Sequence, residues 1–135
     1  MNTVILVLAF VAIAFLVYKM WKPLLTPPKS VVPKNEARMY FFYTDWCGFS
    51  KKAMPEWAKL ETSLQTTSYY GKTHVTPIQV DCETDKAKCS LYGINSYPTI
   101  MIETSDGIHD FNKMPTLASL RAFLRETLGE EAKGL

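Results

Sequence analysis

The sequence predicts an α/β domain of β-α-β-α-β-β-α order, with a mixed sheet, carried behind one N-terminal transmembrane helix. Three observations predict it. An uncharged apolar run opens the chain, strand-like and helix-like patterns alternate through the rest, and a short turn joins the last two strand-like segments. The 135 residues leave room for one globular domain and little else, and apolar and charged fractions of 47% and 21% are those of a folded protein.

Residues 3–18 carry no charge and are almost entirely Val, Ile, Leu, Ala and Phe. Extended to Trp21, the run is about 28 Å long as a helix, close to the ~30 Å of a hydrocarbon core. Tyr18 and Trp21 stand where an interfacial aromatic belt is expected, and Lys19 and Lys22 can reach headgroups from the same end. The competing reading is a cleaved signal peptide, for which Ala12-Ile13-Ala14 offers a small-x-small site. Cleavage there would strand apolar residues 15–18 on the mature chain, and no Lys or Arg precedes the run. Residues 1–22 therefore read as a retained anchor. Residues 23–37, with Pro23, Pro27, Pro28 and Pro33, read as a semi-rigid spacer. The domain is expected over 38–130, and 131–135 is a tail.

Charge divides along the same line. Up to Arg38 the chain carries +4, and from Met39 onward −2. The net +2 thus belongs to the membrane flank, where the positive-inside rule would place the domain on the cytoplasmic side. No Lys/Arg stripe with interleaved aromatics marks the domain, which excludes nucleic acid as a partner.

Within the domain, residues 38–44 are aromatic and β-rich and read as a buried strand. Residues 50–64 space Met54, Trp57, Ala58, Leu60 and Leu64 along a helix, with Lys51, Lys52, Lys59 and Glu61 largely filling its other face. A second strand is expected over 73–80 and a short helix over 85–92. Residues 98–103 and 108–112 form a hairpin across Ser105-Asp106-Gly107. An amphipathic helix over 116–128 opens at Pro115-Thr116 and stops at Gly129. The first two strands, joined through a helix, should be parallel, and the last pair antiparallel. The strand from Thr73 should lie at a sheet edge, because Pro77 cannot donate to a ladder.

Three cysteines suggest one pair and one leftover thiol. The two histidines, His74 and His109, lack ligand-like spacing, so no metal site is expected, and no cofactor is expected either. Phe42-Tyr43-Thr44-Asp45-Trp46-Cys47-Gly48-Phe49-Ser50-Lys51-Lys52, followed by Pro55-Glu56-Trp57, resembles the catalytic segment of thioredoxins and protein disulfide isomerase domains. In that family a Trp-Cys-Gly-x-Cys turn opens a helix, and a proline lies eight residues after the first cysteine. Val80-Asp81-Cys82 and Tyr92-Gly93-Ile94-Asn95-Ser96-Tyr97-Pro98-Thr99-Ile100 resemble the stretch ending in the family's cis-proline. The likeness covers residues 39–128. It implies a thioredoxin-like fold in a minimal form, since the Pro-rich spacer leaves no room for the family's first strand and helix.

The resemblance implies a catalytic constellation of Cys47, Ser50 and Pro98, with Trp46, Gly48, Phe49 and Tyr97 available to a client. A cysteine at a helix N-terminus faces unpaired N–H groups and the positive end of the dipole, both of which favour the nucleophilic thiolate. Two departures bear on mechanism. The family's second cysteine is Ser50, whose hydroxyl cannot displace a disulfide-bound client. The family's buried acid, which serves that second thiol, is Phe41. Mixed-disulfide formation with client proteins stays available, with an external thiol such as glutathione for release. In some disulfide isomerase domains, cysteines spaced like Cys82 and Cys89 form a structural bridge; two free thiols are the alternative. A bridge implies an oxidising compartment, against the charge rule. A cytosol-facing oxidation pathway, as large DNA viruses encode, would satisfy both and would include a virion membrane. Two other functional readings stand beside this one. Cys47-Gly48-Phe49-Ser50 also resembles monothiol glutaredoxins, which bind iron–sulfur clusters with glutathione, but their lysine-bearing approach and Gly-Gly-Cys-Asp clamp are missing. The domain could also serve as a non-catalytic interaction module.

Overall fold

In the computed structural model, residues 2–25 and 31–132 are described. Pro27, Pro28 and Lys29 of the expected spacer lie outside them, as do the side chains of Trp21, Lys22 and Pro23. The first helix, α1 (Asn2–Leu25), is continuous past the expected boundary at residue 22. Its Asn2–Met20 portion has a mean hydropathy of 2.5 and is long and apolar enough to cross a membrane.

The domain is built around strand β1 (Glu36–Tyr43), which begins two residues ahead of the expected start. Ala37, Met39 and Phe41 face one apolar layer, and Tyr40 and Phe42 face the other. A strand covered on both sides needs no polar alternation, which is why its sequence is a nearly continuous apolar run. β1 pairs in parallel with β3 (Thr73–Asp81), Glu36 opposite His74 through Tyr43 opposite Asp81. On its other side it pairs antiparallel with β4 (Thr99–Thr104), which turns back into β5 (Gly107–Asp110). The spacer's end also packs on the domain, since Val32 is buried and Glu36 N donates to Pro33 O at 3.0 Å.

One expectation needs correction. The strand from Thr73 is not the outermost: β2 (Tyr69–Tyr70) lies beyond it, and the five-stranded order is β2-β3-β1-β4-β5. Along β3, β2 reaches only Thr73 and His74, while Tyr70 bridges Glu131 on its other side, so Pro77 still sits where β3 has no outer neighbour and its missing N–H costs no ladder bond. Two residues carry no periodicity from which such a strand could be read. The hairpin's second strand also ends earlier, at Asp110, after which Phe111 N donates to Ile100 O at 3.0 Å.

Helices α2 (Gly48–Thr66) and α4 (Leu117–Leu128) cover one face of the sheet. Trp57 of α2 is fully buried, stacks on Phe41 with ring centroids 5.1 Å apart, and donates its indole N–H to Glu61 at 2.8 Å. The short α3 (Lys86–Leu91), capped by the Asp85 carboxylate, covers the other face. There the Cys82–Cys89 disulfide joins the end of β3 to α3, with Cα atoms 5.7 Å apart. Behind it, Tyr92 and Tyr40 both donate to the buried Glu103 carboxylate, at 3.0 and 3.3 Å. Burial first, then Tyr40 and Glu103, hold the Tyr92 hydroxyl well above its ordinary pKa, so it stays a donor.

Trp57→Ala should remove about 3–5 kcal/mol of stability, as large-to-small changes in packed cores do. Phe49→Ala, at a position 69% exposed, should stay within about 0.5 kcal/mol. Urea unfolding of the full chain in detergent, followed by circular dichroism, checks both; equal effects would contradict this packing.

Candidate active site

Between the end of β1 and the start of α2 the chain turns tightly. Cys47 N donates to Thr44 O at 3.3 Å, and Lys51 N donates to Cys47 O at 3.0 Å as the first helical bond. Cys47 is thus the N-cap of α2, with extended backbone (φ −81°, ψ 118°) and no side-chain capping bond. The helix opens at Gly48, two residues earlier than its apolar spacing predicts, because the spacing records only where packing on the core begins.

The first turn of a helix has N–H groups without intrahelical acceptors, and the Cys47 sulfur lies beside them. The Ser50 N–H is the main reason the Cys47 thiol lies below its ordinary pKa; the Ser50 hydroxyl and the Phe49 N–H add to it, while partial desolvation pulls the other way. As a thiol, Cys47 Sγ donates to Tyr97 O at 3.4 Å, a contact that favours the protonated form. The two backbone N–H donors outweigh this single long sulfur bond. Ser50 is fully buried, and its Oγ has no hydrogen-bond partner of ordinary geometry. Its share in holding the thiolate is therefore an interaction gained when the sulfur carries charge, and the backbone donors are the firmer part.

The Tyr97–Pro98 peptide is cis. Trp46 and Tyr97 meet edge to face, centroids 6.0 Å apart. Trp46 is 67% exposed and Phe49 69%. A Cβ added at Gly48 would meet nothing within 4 Å, so the space over the sulfur's helix turn is open. Phe49, Tyr97 and Pro98 line a groove of about 420 Å³ whose remaining wall includes Lys52, Lys113, Met114 and Pro115. The sequence reading did not place residues 113–115 at the site, because they come from the loop before α4, far along the chain, where Pro115 reads only as a helix start.

The structure brings Cys47, Ser50, Trp46 and Tyr97 into one place, and Gly48, Phe49 and Pro98 lie around them. It does not bring the other two cysteines there, since Cys82 and Cys89 are bonded to each other and Cys47 is the free thiol. Phe41, where an acid would stand, is stacked between Tyr43 and Trp57. Among the described residues no group of three or more His, Cys, Asp or Glu side chains could hold a metal.

The lowered Cys47 pKa keeps thiolate present to lower pH than the ~8.5 of a free cysteine. Its alkylation rate plotted against pH should therefore have a midpoint below that value and fall only as pH drops through the lowered pKa. Ser50→Ala should raise the midpoint part of the way, since the N–H donors remain. A wild-type midpoint at or above ~8.5 would contradict the geometry.

Residues 28–126 match the thioredoxin family. The chain is 39% identical over 69 residues to protein disulfide isomerase-like 2-1 of Oryza sativa subsp. japonica, covering 51% of this chain and 18% of that protein. Over 62 residues it is 39% identical to the thioredoxin domain-containing protein R362 of Acanthamoeba polyphaga mimivirus, covering 45% of this chain and 18% of the relative. This chain therefore spans about a fifth of the length of these relatives. The fold is similar to the first thioredoxin domain of mouse protein disulfide-isomerase A4, with a TM-score of 0.57 and 24% identity over 67% of this chain and 61% of that one. With the cysteine at the head of α2, the cis-proline loop beside it and this breadth of match, the chain belongs to the thioredoxin family.

Proposed function

We propose that this chain is a membrane-tethered thiol–disulfide protein that acts through mixed disulfides at Cys47, without an internal resolving thiol. The observation that carries the reading is the Cys47 sulfur beside the Ser50 N–H, with Ser50 where a second cysteine would be and Cys82 and Cys89 engaged with each other. In the step this implies, the Cys47 thiolate attacks one sulfur of a client disulfide. A Cys47–client bond forms, the client's own bond breaks, and its other sulfur leaves as a thiolate. Release follows by one of two routes: the freed thiolate attacks a second client disulfide and the client thiolate liberated there displaces Cys47, or an external thiol such as glutathione attacks the mixed bond at the Cys47 sulfur, frees the client thiolate, and a second equivalent regenerates Cys47. The first route rearranges the client's disulfides with no net electron transfer; the second reduces the client at the expense of the external thiol. Trp46, Gly48, Phe49 and Tyr97 supply an open, partly aromatic rim for an extended client segment, with Pro98 in the adjoining loop.

Residues 1–22 act as the anchor in this reading and 23–37 as the spacer to the domain at 38–130. The apolar α1 supports the anchor, and the Cys82–Cys89 bond supports an oxidising compartment over the side suggested by the flanking lysines.

The protein should remain in the membrane pellet after alkaline carbonate extraction; an N-terminus found by sequencing near Phe15 would remove the anchor. Acid-quenched, non-reducing capture of the tagged full chain should recover disulfide-linked clients, and Cys47→Ser should abolish them. Adducts that survive Cys47→Ser unchanged would leave a thioredoxin-shaped interaction module instead.

A further inference from the structure

Residues 113–115 form the wall of the groove that faces Phe49 and Lys52. Several bonds give that wall its shape, but they come from α4 and its own cap. Met114 O accepts from Thr116 N at 3.0 Å and from Ser119 Oγ at 2.6 Å, and Lys113 Nζ pairs with Glu126 at 3.2 Å. These bonds set the loop relative to α4 and leave its distance from α2, the opposite wall, undetermined. That distance is bridged at the groove end by Glu56 of α2. Its Oε2 accepts from Leu117 N, the first residue of α4, at 2.8 Å, while Oε1 holds Lys59. The other polar tie between the two helices, Arg121 to Ser63, lies farther along both.

We infer that Glu56 is a positioning residue for client docking: by holding the N-terminus of α4 against α2, it sets the width of the groove beside Cys47. This rests on the reading that clients dock in that groove. The chemistry suits the task. A carboxylate accepting from the first N–H of a helix meets the positive end of the dipole and a donor that has no intrahelical partner. Lys59 and the Leu117 N–H keep the Glu56 carboxyl below its usual range, so the clamp stays charged under all ordinary conditions. Glu56 does not itself line the groove, and its side chain is bonded to Lys59 and to Leu117 N, so its effect on clients passes through Leu117 and the loop ahead of it.

Two probes separate this role from a general contribution to folding. One is a short peptide with an aromatic residue next to a cysteine activated as its disulfide with nitrothiobenzoate; the other is the small symmetric disulfide of nitrothiobenzoate. In both, the Cys47 thiolate forms the new S–S bond and nitrothiobenzoate leaves as a coloured thiolate. With the full chain in detergent, Glu56→Ala should slow the peptide reaction about tenfold, a modest part of the roughly hundredfold that an ångström of misplacement can cost. Its reaction with the small disulfide should change less than about twofold, because that reagent needs no groove wall. Glu56→Gln, which keeps an acceptor for Leu117 N, should recover most of the peptide rate. If Glu56→Ala leaves the peptide rate intact, or lowers both rates equally, the positioning role is wrong while the reading of Cys47 stands. If wild-type Cys47 reacts with neither probe, the functional reading falls, and this inference with it.

Discussion

The pairing of β1 between β3 and β4 is the constraint on which the rest of the molecule depends. It buries Phe41 toward α2 and Phe42 toward α3, so a single strand supplies both apolar layers. Because β1 is parallel to β3, its C-terminal end is the end from which α2 must depart to cross over one face. Cys47 sits in that departure. The thiol's environment is thus a consequence of topology: the sheet fixes the end of β1, and the turn at Thr44 fixes the N-terminus of α2 beside the sulfur.

Phe41 and Ser50 are both fully buried, and their chemistry is matched. The fully buried Phe41 ring stacks on both Tyr43 and Trp57, so aromatic packing occupies the position where the family carries its acid. Ser50 fills a buried site with a hydroxyl and asks nothing of a proton acceptor at position 41. A thiol there would be served by one, which takes the thiol's proton as it attacks. The site thus holds one free thiol, Cys47, with a buried hydroxyl at position 50 and an aromatic ring at position 41.

Much of this was legible in the sequence, for reasons that can be named. The strand at β1 and the helix at α2 announce themselves by aromatic density and by the spacing from Trp57 to Leu64. The Cys47 turn and the Tyr97-Pro98 loop are local strings whose roles follow from a resemblance. What stayed hidden depends on contacts between distant residues. Glu103 reads as one more polar residue at a strand end, yet it is buried because Tyr40 and Tyr92 reach it from 63 and 11 residues away. Tyr70 is buried in a strand of two residues, too short for any pattern. Glu56 looks like an ordinary polar face of α2, and only the approach of Leu117, 61 residues on, makes it a clamp.

In the proposed mechanism a disulfide made at Cys47 has no internal exit, and the lifetime of a purified mixed disulfide measures that directly. The full chain would be loaded at Cys47 with a cysteine peptide, freed of excess thiol, and followed by intact mass at neutral pH with and without glutathione. The adduct should persist without added thiol and discharge when glutathione is supplied, whereas in the Ser50→Cys variant its lifetime should shorten even unaided, at a rate held low by Phe41 in place of a proton acceptor. A wild-type adduct that decays as fast as the Ser50→Cys adduct in the absence of any thiol would contradict the account.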